Sequence, residues 1–237
     1  MGAENRFQRE ILLIGQEGYE RLKGSHVAVF GIGGVGSFCA EAIARSGVGE
    51  ITIVDSDTVQ ESNANRQLVA LGSTLGRPKV DVMAERILDI NPDAKVHPIR
   101  AWFAAENADA ILSGRFDHVA DAIDSVESKL LLIATCLKKG IPVASSMGAG
   151  NKIDATGFKI ADISKTKTCP LARVIRTRLR KEGITGGVTA IYSDDEPSLR
   201  RPGPPGSISF VPPVAGLLLA QAVITALLAE GKGAGLR

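Results

Sequence analysis

A series of residues in the first third of the chain has the types and the order needed to bind phosphate and ribose. The series comprises Gly31-Ile32-Gly33-Gly34-Val35-Gly36, Asp55, Asn63, Arg66, Gln67 and Lys79. A glycine turn offers backbone N–H groups to phosphate, and an acid at a strand end accepts ribose hydroxyls. The turn and the acid alone favour a nicotinamide or flavin cofactor, whereas an arginine and a lysine after them favour a triphosphate. The sequence therefore predicts an ATP site.

The elements around the glycine turn must bring it to a nucleotide. Val27–Phe30 predicts a buried strand and Ser37–Arg45 predicts a helix. Between them, Gly31 permits a tight turn, Gly33 lets the backbone approach an anion, and Gly36 lets the helix pack closely. A second strand, Ile51 to Val54, then ends at Asp55. This strand–turn–helix–strand order is typical of a nucleotide site.

Lys79 follows Pro78 at the predicted start of the next helix. A lysine there faces the positive end of the helix dipole, which costs roughly 0.3–1 kcal/mol without a nearby anion. A triphosphate would supply that anion. The alternative is that Arg66 and Lys79 are solvated surface charges, but their position after two strand ends favours binding.

Strands and helices alternate as far as Gly150. The predicted elements are strands 27–30, 51–55, 95–99, 116–120 and 141–145, with helices that include 78–90 and 125–139. This alternation predicts an α/β fold with a Rossmann-like, doubly wound, mainly parallel sheet whose nucleotide lies at the carboxyl ends of the strands. We expect residues 1–150 to form the ATP-binding domain and 151–237 a C-terminal extension, continuous with the same fold, that binds substrate and packs in a dimer.

The C-terminal extension combines short strands, a basic helix and a final apolar helix. Phe158–Ile163 and Thr189–Ser193 predict strands. Between them, the stretch from residue 165 to residue 181 has seven basic residues and no acid: Lys165, Lys167, Arg173, Arg176, Arg178, Arg180 and Lys181. Arg173, Arg176 and Arg180 share one predicted helix face, with Leu171, Val174, Ile175 and Leu179 on the other. Such a helix suits a nucleic-acid backbone, with a solvated helix or a membrane surface as the alternatives.

Two further segments of the extension, a loop and an apolar stretch, also lead to predictions. The loop 194–206, which contains Arg200 and Arg201, is expected to become ordered over substrate. Residues 211–229 carry no charge and approach the length of a membrane span, but Pro212 and Pro213 interrupt the start. We predict a helix buried in the core or in a dimer interface, and peripheral membrane association stays open. A polar N-terminus and few cysteines favour the cytoplasm.

Cysteine and histidine usage limits the chemistry. The three cysteines, Cys39, Cys136 and Cys169, have no Cys-x-x-Cys spacing, which excludes a structural zinc site of that type. Cys39 and Cys136 are expected in the core. Cys169 precedes Pro170 among basic residues, where a thiol pKa would be lowered, although no partner base is evident. The three histidines have no metal-ligand spacing and are expected to be structural or at the surface.

These motifs together resemble the ubiquitin-activating-enzyme-like superfamily, which includes the bacterial enzymes that adenylate sulfur-carrier proteins. The similarity lies in the ordered stretches RFQRE, GIGGVG, VDSDTV, NANRQ, GRPKV and DAIDS. The resemblance implies that ATP is attacked at its α-phosphate by a carboxylate. It assigns the nucleotide to Gly31, Gly33, Gly34, Gly36, Asp55, Asn63, Arg66 and Lys79, catalysis to Arg9, Arg66, Lys79 and Asp124, and Mg2+ to Asp124. Arg9 would enter the partner subunit's site, which implies a homodimer.

The chain looks similar to one branch in particular, the tRNA threonylcarbamoyladenosine dehydratases. The motifs that carry this closer resemblance include SGVGEIT, MAERI, INP, DAIDS, GAG and PLA, at residues 46–52, 83–87, 90–92, 121–125, 148–150 and 170–172. The resemblance implies a tRNA substrate whose threonyl carboxylate is adenylated before an intramolecular ring closure. Activation of a ubiquitin-like sulfur carrier is the alternative, and a nicotinamide enzyme is a weaker one. A sulfur-transfer partner and a bound monovalent cation, K+ or Na+, stay open.

Overall fold

The computed structural model describes residues 6–195 and 205–229. Seven strands form one sheet: β1 (His26–Phe30), β2 (Glu50–Val54), β3 (Lys95–Ile99), β4 (His118–Asp121), β5 (Val143–Ser146), β6 (Phe158–Asp162) and β7 (Thr189–Ser193). Their order across the sheet is β3-β2-β1-β4-β5-β7-β6, and only β6 runs antiparallel to its neighbour. The predicted Rossmann-like, mainly parallel sheet is confirmed.

Helices cover both faces of this sheet. They are α1 (Gln8–Lys23), α2 (Gly36–Arg45), α3 (Lys79–Ile90), α4 (Ala105–Ile111), α5 (Val126–Lys139), α6 (Pro170–Lys181) and α7 (Val211–Ala229). One hydrophobic core joins a face of the sheet to α2, α3 and α7, and a second joins the opposite face to α4, α5 and α6. Burial on both faces explains why the parallel strands consist of nearly continuous apolar runs.

Two strands begin two residues later than predicted because of local chemistry. The fifth strand begins at Val143 rather than residue 141, because Pro142 has no N–H to donate to a ladder. The fourth strand begins at His118 rather than residue 116. Ahead of it, the Phe116 ring packs on His26, with 4.5 Å between ring centroids, and the Asp117 carboxylate accepts the His26 N–H.

The C-terminal extension completes the sheet and the core. Strand β7 pairs in parallel with β5, so the extension shares the sheet of the first 150 residues. The division at residue 150 stays a prediction. Helix α7 packs on α2, where a Cβ on Gly216 would lie 2.2 Å from the Val35 carbonyl oxygen. Helix α7 is long and apolar enough to cross a membrane, but half of its most apolar stretch is buried inside the protein. Gln221 and Thr225 lie on its exposed side.

Part of the loop expected to cover substrate lies outside the described residues. That part is 196–204, which includes Arg200 and Arg201. The loop's described end, Pro205 to Ser207, lines the same cavity as the glycine turn and contacts two neighbouring loops. Gly206 accepts a hydrogen bond from the Asn151 N–H at 2.8 Å, and the Ser207 carbonyl accepts one from the Asn65 side chain at 3.0 Å.

Candidate active site

The glycine turn joins β1 to α2 at the carboxyl edge of the sheet. Gly31 has a φ of +85°, and a Cβ there would lie 2.8 Å from the Ala122 carbonyl oxygen. Gly36 packs so tightly against the turn that a Cβ would lie 1.7 Å from the Gly31 carbonyl oxygen. Neither position accepts a side chain. The consequence is a turn whose backbone is fixed before any ligand arrives.

Asp55 fixes the same turn from the end of β2. Its carboxylate accepts the Ile32 N–H at 2.6 Å and the Asp57 N–H at 2.8 Å. In the part of the chain that the structure describes, the N–H groups of Gly33 and Gly34 form no hydrogen bond. They precede helix α2, whose dipole places partial positive charge at its N-terminus. Unpaired donors in this position form a phosphate site.

A cavity of about 370 Å3 opens beside the turn. It lies at the low end of the range of roughly 300–1,000 Å3 that is usual for small-molecule sites. Eight of the predicted site residues line it: Gly31, Gly33, Gly34, Asp55, Asn63, Arg66, Lys79 and Asp124. They come from the ends of β1, β2 and β4, from the 3-10 turn Glu61–Asn63 and the residues after it, and from the start of α3. The fold thus brings the predicted nucleotide residues into one pocket.

Lys79 differs in one respect from the expectation. Its side chain is 4% exposed, and Nζ donates to Asp57 Oδ2 at 2.8 Å. The anion that offsets a lysine at this helix start is therefore supplied by the protein itself. Pro78 also lies one position earlier than predicted, at the N-cap of α3. Because the Asp57 side chain is 59% exposed, this pair lies where an incoming phosphate can share the lysine.

The 3-10 turn Glu61–Asn63 and the residues after it hold the amide and guanidinium donors in place. Asn63 is buried, and its Oδ1 accepts the Gln60 N–H at 3.0 Å, which leaves the Nδ2 donors for a ligand. Arg66 Nη1 donates to the Ser62 carbonyl at 3.0 Å and to Asn65 Oδ1 at 2.9 Å. Both contacts are local, so they orient the guanidinium along the cavity without neutralising it.

Asp124 follows β4 in an exposed position on the cavity wall. Within residues 6–195 and 205–229 its carboxylate forms no hydrogen bond or ion pair. The loop that carries it is fixed by a different acid, Asp121, whose Oδ1 accepts the Ile123 N–H at 3.0 Å. An unpaired carboxylate on a rigid loop is a suitable oxygen ligand for Mg2+.

Behind that loop lies an ion pair that the sequence did not predict. Asp121 and Lys129 are both fully buried, and Nζ donates to Asp121 Oδ2 at 2.7 Å. Lys129 also donates to Ser145 Oγ at 3.3 Å and to the Ser146 carbonyl at 3.0 Å, while Ser145 Oγ donates to Asp121 Oδ2 at 2.6 Å. All three ammonium donors have an acceptor. The network joins β4, β5 and α5 directly beneath the pocket.

The cavity wall also includes Gln67, which the sequence placed in the phosphate-binding series, and Trp102, which sequence reasoning missed. Gln67 is 8% exposed, and its Oε1 has no hydrogen-bond partner among the described residues, which makes it a free acceptor on the cavity wall. Trp102 lines the cavity and is 56% exposed. It follows the end of β3, so the rule that ligands bind at the carboxyl ends of strands could have indicated it.

Two predicted residues do not line the cavity. Gly36 lies behind the turn, where it allows close packing. Arg9 lies in α1, exposed, and does not reach the pocket of its own chain. Its neighbours Leu12 and Leu13 are 81% and 86% exposed. The prediction that Arg9 enters a partner subunit's site stays a prediction.

The cysteines are all buried. Burial raises the pKa of Cys136 to about 12 and raises that of Cys39 further. Cys169 is the N-cap of α6 and is 3% exposed within the second core, so its thiol does not reach the cavity surface. A thiol nucleophile is therefore not part of the pocket.

Helix α6 presents its basic side chains differently from the expectation. Its buried face is Ala172, Ile175 and Leu179, whereas Val174 is 44% exposed. Arg176 is partly buried, and its Nη1 donates to the Thr166 carbonyl at 2.8 Å.

The other basic residues of this segment fall into two groups. Arg178 forms a bidentate ion pair with Glu127, which neutralises both charges. Arg173 and Arg180 are exposed, and so are Lys165, Lys167 and Lys181. Leu171 lies near Gly148, where an added Cβ would be 3.9 Å from the Leu171 Cβ, and the next two residues, Ala149 and Gly150, line the pocket. The exposed cations therefore begin next to the nucleotide cavity.

Comparison with known proteins identifies the family. The model of the ThiF family matches residues 7–235, almost the whole chain. The chain belongs to the ThiF family.

Relatives within the ThiF family are similar along most of this chain. The tRNA threonylcarbamoyladenosine dehydratase of Bacillus subtilis is 49% identical over 95% of this chain and 96% of its own. The Escherichia coli enzyme of the same name is 42% identical over 75% of this chain and 66% of its own. A crystal structure of E. coli tRNA N6-threonylcarbamoyladenosine dehydratase in complex with ATP superposes with a TM-score of 0.90 at 36% identity, and covers 97% of this chain and 96% of that one.

The buried ion pair predicts a large loss of stability when one partner is removed. Lys129→Met leaves the Asp121 carboxylate buried without a countercharge, which should lower the free energy of unfolding by about 3–5 kcal/mol. Lys139→Met on the same helix removes a lysine whose partner, Asp109, is 92% exposed, and should cost less than about 1 kcal/mol. Urea denaturation followed by circular dichroism measures both. Equal losses in the two variants would contradict the assigned role.

Proposed function

We propose that this chain uses ATP to dehydrate threonylcarbamoyladenosine in tRNA, the activity for which its relatives are named. The observation that carries the proposal is a preformed pocket. It combines unpaired backbone N–H donors with the side chains of Arg66 and Lys79 and with the Asp124 carboxylate, which is unpaired among the described residues. It occurs in a chain that matches a dehydratase from end to end at 49% identity. The match to an ATP complex at a TM-score of 0.90 supports ATP as the nucleotide.

The proposed reaction has two steps whose atoms balance. The threonyl carboxylate attacks the α-phosphorus of ATP, one P–O bond forms, and pyrophosphate leaves with the electrons of the bond that breaks. A nucleophile of the same modification then attacks the acyl carbon, loses its proton and expels AMP with one former carboxylate oxygen. The net loss from the nucleoside is one water. Because the second nucleophile is intramolecular, the buried cysteines are not needed.

The residues of the pocket act by position and charge. The N–H groups of Gly33 and Gly34 would bind phosphate oxygens, Asp55 would accept the ribose hydroxyls, and Arg66 and Lys79 would offset charge on the departing pyrophosphate. Mg2+ held by Asp124 would add Lewis-acid stabilisation of the same charge. The fit rests on the Asp124 carboxylate, which has no partner among the residues that the structure describes. Proton transfer by a protein side chain is not required in the first step.

Helix α6 is the proposed contact for the tRNA backbone. Arg173 and Arg180, which form no ion pair within the described residues, lie on the exposed side of a helix whose first turn lies near Gly148, next to the pocket-lining Ala149 and Gly150. Arg and Lys side chains supply most of the sequence-independent affinity for nucleic acid. A substrate adenosine in the cavity would therefore place adjacent phosphates within reach of this helix.

We further propose a homodimer in which Arg9 completes the partner subunit's pocket. Support comes from Leu12 and Leu13, which are exposed beside Arg9 on the first part of α1. Large apolar side chains that are exposed next to one another mark an interaction surface. Gly15, with a φ of +76°, breaks α1 directly after them and sets the direction of this segment.

Predictions about location, metal ions and partners accompany the proposal. A tRNA substrate supports a cytoplasmic location, and the burial of half of the α7 apolar window supports a core helix over membrane association. Mg2+ as the metal rests on Asp124 alone. The monovalent cation and the sulfur-transfer partner stay predictions.

The decisive experiment is nucleoside mass analysis. Purified protein with tRNA bearing threonylcarbamoyladenosine, ATP and Mg2+ should yield a nucleoside lighter by one water, with AMP and pyrophosphate. Asp124→Ala should lower turnover by at least about a hundredfold, because charge on the leaving pyrophosphate loses its stabilisation. Glu106→Gln, an exposed carboxylate on α4, is the control and should retain full turnover.

Two further arms of the same assay separate the alternatives. An unchanged nucleoside mass with intact ATP binding would rule out the dehydratase. Pyrophosphate exchange stimulated only by a ubiquitin-like carrier protein ending in Gly-Gly would establish an adenylyltransferase. Mixing inactive Arg9→Ala and Asp124→Ala proteins should restore part of the turnover if sites are shared, and no restoration would argue against Arg9 acting across subunits.

The exposed cations of α6 predict a salt-dependent tRNA affinity. The double variant Arg173→Gln/Arg180→Gln should weaken tRNA binding and leave the ATP affinity unchanged. The plot of log K for tRNA against log salt concentration should become less steep, its slope falling in magnitude by about 2. The matched control is Arg178→Gln on the same helix, whose charge is already paired with Glu127 and whose loss should change the slope little. Filter binding over a salt series measures this. A double variant that binds tRNA like the unmodified chain would remove α6 from the interface.

A further inference from the structure

A second group of titratable side chains lies at the amino edge of the sheet, opposite the nucleotide pocket. His26 opens β1 and is the register partner of Glu50, which opens β2. His97 on β3 is the register partner of Thr52 on β2. Because alternate residues of a strand share a face, these four side chains project from the same face of the sheet. They come from three neighbouring strands.

The ligand atoms of this group are close together. Glu50 Oε1 lies 2.8 Å from His97 Nε2 and 3.8 Å from His26 Nδ1. All three ligand atoms fall within 4.8 Å of one another. Two ligands at 2.0–2.1 Å from a tetrahedral zinc ion are about 3.4 Å apart. The observed distances lie on both sides of this value, so small side-chain rotations suffice.

The His26 ring has the surroundings of a metal ligand. Its Nε2 lies 2.8 Å from the hydroxyl oxygen of the buried Thr52, and its Nδ1 lies 2.9 Å from the Arg115 carbonyl oxygen. Because a carbonyl oxygen only accepts, Nδ1 carries the proton and donates to Arg115, while Nε2 accepts from the Thr52 hydroxyl. A metal ion bound at Nδ1 would replace that proton, and the ring would then donate from Nε2 to Thr52. Such a second contact orients metal-bound histidines and fixes the tautomer. Burial lowers the pKa of His26, which favours the neutral form that binds metals.

We propose that His26, Glu50 and His97 bind one divalent transition-metal ion of the zinc type, with the Arg115 carbonyl oxygen beside them as the fourth ligand. Two imidazoles and a carboxylate suit zinc, whereas Mg2+ and Ca2+ prefer oxygen ligands throughout. The ion ties together the first residues of β1 and β2, the edge strand β3 and the segment before β4. This role is structural and is independent of the proposed reaction.

The position of the site explains why the sequence did not indicate it. His26 and His97 are far apart along the chain and show no local metal-ligand spacing. Parallel pairing of β1 with β2 and of β2 with β3 brings them together. The expectation that the histidines are merely structural or surface residues is revised by this proposal for His26 and His97. His118 is buried in β4, with its pKa lowered to about 4 by burial, and takes no part.

Metal titration of the tag-free chain tests the proposal. Calorimetry with ZnCl2 should show one bound ion, and Co2+ should give visible d–d absorption without a thiolate-to-cobalt band, since the cysteines lie elsewhere. Glu50→Gln and His97→Gln should each weaken zinc binding by at least tenfold, on the order of a lost metal contact. Thr52→Val, nearly equal in shape, should weaken it by about 10–100-fold through the lost orienting contact.

The controls make each outcome decisive. Glu106→Gln removes an exposed carboxylate distant from the cluster and should leave zinc affinity unchanged, and circular dichroism checks that every variant is folded. Zinc should also raise the Tm of the unmodified chain and not that of Glu50→Gln/His97→Gln. Equal zinc affinity in the double variant and the unmodified chain, a thiolate-to-cobalt band, or no binding to the unmodified chain would each overturn the proposal.

Discussion

The buried ion pair between Asp121 and Lys129 is the constraint on which the nucleotide pocket depends. Both groups are fully buried, and each is satisfied by the other and by Ser145 or backbone atoms. A pair in this environment is costly to break, because removal of one partner leaves an uncompensated charge. The network fixes the loop after β4 and therefore the position of Asp124. The buried network therefore holds the Asp124 carboxylate in a fixed position at the mouth of the pocket.

The other charges of the site also divide into structural groups and groups that would meet ATP. Charges with purely structural roles are paired inside the protein, as in Asp121 with Lys129, whereas the groups that would meet ATP face the cavity. Lys79 lies between these classes, since its ammonium is held by the half-exposed Asp57. Such preorganisation suits a reaction in which charge on phosphate must be stabilised and few side chains need to titrate.

The predictions that the structure confirms were based on local sequence motifs. The glycine turn, the acid after β2 and the alternation of strands and helices are encoded by residues near one another in sequence, and they were sufficient for the sheet and the pocket wall. Pairings between distant residues were not predictable in this way. Three such features depend on how strands and helices pack. They are the pairing of Asp57 with Lys79, the pairing of Asp121 with Lys129, and the exposure of Val174 next to the hydrogen-bonded Arg176. The His26–His97 proximity has the same origin.

Isotope tracing with a labelled threonyl carboxylate tests the central claim, that this pocket adenylates the substrate acid, most directly. Threonylcarbamoyladenosine in tRNA is prepared with oxygen-18 in that carboxylate and turned over with ATP. The account predicts one labelled oxygen in the AMP phosphate, because ring closure breaks the bond between the acyl carbon and the AMP oxygen. Label recovered in inorganic phosphate together with ADP, or AMP without label, would contradict attack of the carboxylate on the α-phosphorus.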